Sequence, residues 1–237
     1  RTQTDEGAAL ARDIGAAPII GQILWNRGIR SAEEAQTFLH PEDEPFHDPF
    51  LMRDMEKAVL RIQKAIHEGE RIVVYGDYDV DGMTSTTLLM KNIRALGGMV
   101  SYYIPNRFTE GYGINGAALA QLASEGCDLL VTVDCGISSV DVVAEMDGAM
   151  DIIITDHHLP GAELPPAYAV LNPHRVDCSY PFKELAGVGV TFKLVQALWQ
   201  VEEERRYAED IDIVALGTVA DLVPLIGENR KLVQMGL

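Results

Sequence analysis

Positive charge is what this sequence has least of for its size. Its 237 residues carry 19 lysines and arginines against 36 aspartates and glutamates, a formal net charge of −17. Taken alone, that balance argues against a nucleic-acid partner, because such proteins usually present a basic footprint to the phosphates. Part of the excess is offset if a cluster of carboxylates holds divalent cations, which can be the largest local charges in a site. Cysteine is also scarce. Cys127, Cys135 and Cys178 are odd in number and lack CxxC spacing, which excludes a disulfide framework and a zinc knuckle. Cys135 sits beside Asp134, with nothing nearby that marks it as a nucleophile. No run of about 18 uncharged apolar residues occurs, and Arg1 to Asp13 is too polar for a signal peptide. The expected location is therefore the cytoplasm, with no membrane partner. Internal repeats and low-complexity tracts are absent as well.

What is present is enough apolar material, 47% of the chain, to bury a sizeable core in one large domain or a domain with an extension. Residues 1–70 read as an N-terminal helical extension. Ile19, Ile20, Ile23 and Leu24, then Met55, Val59, Ile62 and Ile66, recur at helical spacing. Ser31 followed by Glu34 has the form of a capping box, and the proline- and acid-rich stretch 40–49 reads as a connector. From Arg71 to Leu237 the texture changes to short apolar runs followed by helical stretches, the signature of βαβ units. Strands are expected over 72–75, 100–104, 129–133, 151–154 and 168–171, with helices over 83–96, 116–124, 138–145 and 188–201. The fold class is α/β, a mainly parallel sheet flanked by helices.

Three of these strands run into carboxylates. The first leads to Gly76-Asp77-Tyr78-Asp79-Val80-Asp81-Gly82, the third ends Val133-Asp134-Cys135-Gly136, and the fourth ends Thr155-Asp156-His157-His158. Aspartate and glycine both favour turns, but three alternate aspartates after one strand repel one another unless a cation lies among them. Imidazoles beside the fourth strand suit borderline metals such as manganese or iron. In open parallel sheets ligands bind beyond the carboxyl ends of the strands, so these loops should converge. Asp221, at the end of the apolar stretch 215–220, reads by itself as a solvated helix-end carboxylate.

Gly76–Gly82 with Met83-Thr84-Ser85-Thr86, then Val133–Ser138, Thr155–His158 and Gly217–Pro224, resemble the four motifs of the DHH phosphoesterase family. Within it, Ile104-Pro105-Asn106-Arg107 with Glu110-Gly111-Tyr112-Gly113, the stretch Leu185-Ala186-Gly187-Val188-Gly189-Val190, and Asn26-Arg27-Gly28-Ile29 are similar to its single-strand-specific exonuclease branch. The resemblance implies two-metal hydrolysis of phosphodiester bonds in single-stranded DNA, in the 5′→3′ direction, in repair and recombination. The cofactors it implies are two Mn2+ ions, with Mg2+ as the substitute. It implies that Asp134 bridges the two ions, with Asp77 and Asp79 beside one and Asp81, His157 and Asp221 holding the other. The commoner first motif of the family has an upstream histidine that this sequence lacks, which bears on Asp77. His158 is implied to face the substrate phosphate, stabilising its oxygens or protonating the leaving group, while Asp156 orients a histidine. A second substrate domain and a nucleic-acid-binding barrel are implied to lie outside this chain, and a helicase and a single-strand-binding protein are implied partners. Two alternatives stand beside this reading: a DHH phosphoesterase for pyrophosphate, short oligoribonucleotides or cyclic dinucleotides, and a non-catalytic replication scaffold.

Among substrate contacts, Arg107 is the candidate for bidentate phosphate pairing, against a surface salt bridge. Gly187 and Gly189, just before a helix, are candidates for backbone N–H groups that approach a phosphate, against close helix packing. Tyr102, Tyr103, Phe108 and Tyr112 are the aromatics available to stack bases. Since Tyr102 and Tyr103 alternate faces, at least one is expected in the core, and packing is favoured for Phe108 and Tyr112. His174 and Arg175 are expected on a solvated loop.

Overall fold

The computed structural model describes residues 4–111, 113–202 and 206–237, so Tyr112 lies outside the described residues. Three helices lead the chain, α1 (Asp5–Asp13), α2 (Pro18–Asn26) and α3 (Ala32–Leu39), followed by 3-10 turns at Pro41–Asp43 and Pro49–Leu51 and by α4 (Met55–Glu68). The remainder runs β1 (Arg71–Tyr75), α5 (Val80–Ala95), β2 (Met99–Tyr103), α6 (Gly116–Ser124), β3 (Leu129–Val133), α7 (Val140–Ala144), β4 (Asp151–Thr155), β5 (Ala169–Leu171), α8 (Gly187–Val201), a 3-10 turn at Arg206–Asp210, α9 (Ile211–Ala220) and α10 (Gly227–Gly236). Each expected strand and helix after residue 70 is found with its ends shifted by three residues or fewer. The largest shift is at α5, which starts early because the Asp79 side chain accepts from Gly82 N at 2.9 Å and caps the helix.

All strand pairs are parallel, in the order β2-β1-β3-β4-β5. Every residue of β3 is buried, as expected of a central parallel strand covered by helices on both faces. The twofold side-chain period divides the core. Ile72 and Val74 face one layer, with Leu88 and Ile93 of α5, Phe192 and Val195 of α8, and Val59 and Ile62 of α4. Val73 and Tyr75 face the other, with Leu119 of α6 and Val143 of α7. Thus α4 belongs to the core of the sheet, whereas α1–α3 close a small core of their own around Leu10, Leu24 and Ala35.

The isoleucine pattern of α2 is used differently from its expected packing role. Ile19, Ile20 and Ile23 face outward, Ile19 at 64% exposure. The helix instead packs through Gly21, where an added Cβ would lie 2.2 Å from Gly7 O and 2.6 Å from the Ala11 side chain. Close backbone approach between α1 and α2 thus outweighs burial of the larger side chains. The Ser31–Glu34 capping box forms as expected. Neither Tyr102 nor Tyr103 is core, because β2 is an edge strand. Tyr102 is 62% exposed, and Tyr103 is half-buried with its ring stacked on Tyr75 at 5.2 Å. Arg175 is buried rather than solvated, and its guanidinium bonds Asp54 at 2.7 Å, Asp177 at 2.8 Å and Val170 O at 2.6 Å, which ties β5 to the start of α4. Among the described residues, no helix is long and apolar enough to cross a membrane.

A buried ion pair joins the leading segment to the main body. Lys193 of α8 is wholly buried, donating to His47 O at 2.7 Å and to Glu228 of α10 at 3.2 Å. Glu228 also accepts from His47 N and from the Tyr180 hydroxyl. Burial lowers the Lys193 pKa, and Glu228 opposes that shift. Removing one partner leaves a charge stranded in a medium that solvates it poorly. Glu228→Ala should therefore destabilise the fold by about 3–5 kcal/mol in urea titrations, and Tyr180→Phe by about 1 kcal/mol. A Glu228→Ala loss no larger than that of Tyr180→Phe would contradict this.

Candidate metal centre

The strand order reverses between β1 and β3, and a crevice opens beyond the carboxyl ends of strands at such a point. Asp77 follows β1, Asp134 follows β3 and His157 follows β4, so the sheet itself delivers these side chains to one place. Asp81 arrives on the first turn of α5, and Asp221 forms the C-cap of α9.

Ligand atoms gather there into overlapping triads. Asp77, Asp79 and Asp134 form one, Asp81, His157 and Asp221 a second, and within each the ligand atoms lie within 4.8 Å of one another. Nε2 of His157 stands 3.3 Å from Asp134 Oδ1, 3.7 Å from Asp221 Oδ2 and 3.9 Å from Asp81 Oδ2, so Asp134 and His157 are where the triads meet. A third combination brings His158 to Asp134 and His157. Asp134 Oδ1 and His157 Nε2 are both buried without a hydrogen-bond partner. Such atoms are costly unless something outside the protein completes them, and a divalent cation suits a carboxylate oxygen facing an imidazole nitrogen.

Backbone groups orient these ligands. Both oxygens of Asp81 accept from the N-terminus of α8, Oδ2 from Gly187 N at 2.7 Å and Oδ1 from Val188 N at 2.8 Å. Each oxygen retains a lone pair for a further partner. The Gly187 N–H is therefore committed to Asp81 and not open to a substrate phosphate. Its lack of a side chain serves the same centre, since a Cβ there would lie 2.5 Å from Asp134 Oδ1. Gly189 packs against Leu185, so the close-packing alternative describes it. Gly217 of α9 is similarly constrained, with a virtual Cβ 2.3 Å from Thr84 Oγ1 and 3.2 Å from Asp81 Oδ1, which lets α9 bring Asp221 alongside α5. Asp134 adopts φ 59°, a left-handed conformation that costs a non-glycine residue about 1–2 kcal/mol and that recurs at functional sites.

Asp156 belongs to neither triad. Its Oδ1 accepts from the backbone of His157 and His158 and contacts Nδ1 of His158 at 2.7 Å, while Oδ2 accepts from Ile137 N at 2.9 Å. The histidine it orients is thus His158, which keeps 47% of its side-chain surface exposed. Asn172 adds a contact that sequence reading missed, donating to His158 O at 2.9 Å; the Asn172-Pro173 pair after β5 was its visible signal. His174 is half-buried, and burial holds its pKa down. Arg107 is exposed, its guanidinium 5.3 Å from the centre of the Tyr78 ring, between Asp77 and Asp79 in sequence. Phe108 is 94% exposed, so packing does not account for it. Cys135 is buried, and burial drives its thiol pKa well up, which disfavours the nucleophilic thiolate.

Crowded, buried carboxylates resist ionisation. Burial and then the Asp134 charge push the Asp81 pKa up to about 8. Burial, then Asp79 and Asp156, push Asp134 up to about 9. Asp77 and Asp221 are raised as well, chiefly by burial. Burial also acts to raise Asp156, but the His158 ring and its backbone donors outweigh it, and the net shift is downward. The hydrogen bond with Asp156 in turn raises His158 to about 9.

In the unfolded chain Asp81 and Asp134 ionise near pH 4, whereas folded they hold protons to about 8 and about 9. Without metal, the stability tied to those protons is complete below about pH 4 and is lost as pH rises through the folded values. His158 acts in the same direction, between its ordinary value and about 9. The melting temperature of metal-free protein should fall by roughly 5 °C or more between pH 5 and pH 8.5. Asp134→Asn, a residue tolerated at left-handed φ, should reduce that fall and remove the stabilisation by added Mn2+. A melting temperature that rises over this range would refute the assignment of these shifts.

Known proteins resemble this chain in sequence and fold. The chain is 44% identical over its whole length to the single-stranded-DNA-specific exonuclease RecJ of Bacillus subtilis (strain 168), covering 30% of that protein. It is 41% identical to RecJ of Escherichia coli (strain K12), again over the whole chain and covering 42% of that protein. The crystal structure of RecJ in complex with Mn2+ from Thermus thermophilus superposes with a TM-score of 0.80 at 31% identity, over 98% of this chain and 32% of that one. The chain thus spans between 30 and 42% of the length of these relatives. Residues 71–218, more than half of the sequence, match the model described as the DHH family, N-terminal domain, and the chain belongs to the DHH family.

Proposed function

We propose that this chain is the metal-holding catalytic part of a single-strand-specific DNA exonuclease, with residues 71–237 as its catalytic domain and residues 1–70 as a helical extension whose last helix, α4, packs into the core of the sheet. The observation that carries the reading is the pair of buried atoms Asp134 Oδ1 and His157 Nε2, neither with a hydrogen-bond partner, where two triads of ligand side chains meet. On this reading Asp77, Asp79 and Asp134 hold one divalent cation, and Asp134, Asp81, His157 and Asp221 hold the other. Mn2+ is preferred and Mg2+ is the substitute. Supporting that choice, the related RecJ from Thermus thermophilus was crystallised with Mn2+ and with Mg2+. When bound, such a pair supplies Lewis-acid stabilisation of the phosphoryl oxygens and eases deprotonation of the attacking water.

The chain's own residues supply the rest. Asp134, in its left-handed turn, aims its carboxylate at both triads. The α8 N-terminus fixes Asp81. His158, held by Asp156, stabilises the phosphoryl oxygens or delivers a proton to the leaving oxygen, and its hydrogen bond with Asp156 favours the protonated ring. Arg107, exposed beside the Asp77–Asp79 loop, pairs with a phosphate of the strand. The action is 5′→3′ in DNA repair and recombination, in the cytoplasm, with a helicase and a single-strand-binding protein as partners. The likeness to proteins named single-stranded-DNA-specific exonucleases supports the substrate and the reaction, while the direction, pathway, location and partners extend the resemblance of the motifs.

The deciding experiment is Mn2+-dependent hydrolysis of end-labelled single-stranded DNA by this chain and by a longer protein containing it. Release of nucleotides from single strands with duplex spared, abolished by Asp134→Ala, is the expected result. Turnover of pyrophosphate or dinucleotides alone would replace the substrate while keeping the metal centre. Absence of Mn2+ binding by the folded protein would leave a non-catalytic scaffold.

A further inference from the structure

The turn that carries Arg107 is fastened at both ends by a pair of stacked tyrosines. Tyr75 and Tyr103 are register partners on β1 and β2, with rings 5.2 Å apart and 21° from parallel. The Tyr103 hydroxyl donates to Glu110 Oε1 at 2.5 Å, and Glu110 Oε2 accepts from Asn106 N at 2.7 Å. Asn106 Oδ1 in turn accepts from Phe108 N at 2.9 Å, and Asn106 O accepts from the backbone N–H groups of Thr109 and Glu110. At the far end, the Tyr75 hydroxyl donates to Gly113 O and accepts from Asn115 N, both at 3.2 Å. Hydrogen bonding lowers the Glu110 pKa, the Asn106 N–H first and the Tyr103 hydroxyl second, so the carboxylate stays ionised and the fastening persists at neutral pH.

An exposed turn of this kind ordinarily samples many conformations, and ordering it is costly unless the order has a use. What the order achieves is visible at its tip. Arg107 is held over the ring of Tyr78, the residue between Asp77 and Asp79 in sequence, with no ion pair of its own among the described residues. We infer that Tyr103 and Glu110 are positioning residues for substrate, clamping the turn so that Arg107 meets a backbone phosphate of the strand entering the Asp77–Asp79 side. The clamp rests on the nuclease reading above. It acts by pre-organisation, sparing the bound state the entropy of ordering the turn, and it touches neither the metal ligands nor His158.

Steady-state hydrolysis of a single-stranded oligonucleotide with Mn2+ tests this in the full-length protein. Tyr103→Phe preserves the stack and deletes only the hydroxyl, and Glu110→Ala deletes the acceptor. Each should raise KM roughly fivefold, about the worth of one accessible hydrogen bond, with kcat kept within about twofold. In Tyr103→Phe the melting temperature should fall by no more than about 2–4 °C, and its rise on adding Mn2+ should be unchanged. In an Arg107→Ala background Tyr103→Phe should add no further rise, because the clamp acts only through that guanidinium. An unchanged KM in Tyr103→Phe, a defect in kcat instead of KM, or an undiminished effect in the Arg107→Ala background overturns the clamp. A wild-type protein that cuts no single strand overturns instead the reading beneath it.

Discussion

Like charges forced together out of water organise this molecule. Asp77, Asp81 and Asp134 are all buried where the sheet reverses its strand order, each within a triad of ligand side chains, with Asp79 and Asp221 at the margin. Coulomb repulsion there is strong because burial removes the water that would screen it. The fold answers with fixed dipoles. The first turn of α8 presents two N–H groups to Asp81, at the positive end of a helix. That answer is partial, since Asp81 and Asp134 still favour their protonated forms near neutrality. The deficit is the structural basis for cation binding, because cations can take the place of those protons.

The surrounding architecture serves to keep that cluster in register. α5 and α9 approach through Gly217 and Thr84, so that the two ends bearing Asp81 and Asp221 cannot drift apart. α8, which supplies the donors, is anchored deeper in the molecule by Lys193 to Glu228 of α10 and to the backbone of His47. On the same helix, the Trp199 indole donates to Asn92 of α5 at 2.6 Å, and Asn92 reaches Asp210 just before α9. Three helices that carry or orient ligands thus share one buried polar seam away from the chemistry. Charged groups that would be a cost in isolation here impose a specific packing, consistent with a centre where a small displacement would break the contact between triads.

Sequence pattern proved most legible where one period dominated. β3 and β4 are short runs of branched apolar residues ended by an aspartate, and their limits could be read because a central parallel strand must be buried on both faces. The edge strand β2 misled, since alternation on an edge does not require that either tyrosine be core. α2 misled for another reason. Its isoleucines are periodic, but a glycine facing Gly7 and Ala11 permits so close a helix crossing that the opposite face is left to solvent. Arg175 looked like a loop residue and became a buried link, because two aspartates far apart in sequence, Asp54 and Asp177, converge on it.

The kinds of side chain available for the centre, and the strand ends that carry most of them, were determined by sequence alone: acidic and imidazole groups placed just beyond apolar strands have few other uses. Tertiary structure decided how they divide. That Asp134 and His157 stand where the triads meet, that Asp156 holds His158, and that the α8 N-terminus is spent on Asp81 and not on a phosphate all depend on which loops face each other across the crevice. Sequence patterns record local periods of two and 3.6 residues. The facing of loops is set by strand order and helix crossings, which sum contacts between residues up to 192 positions apart and leave no local period to read.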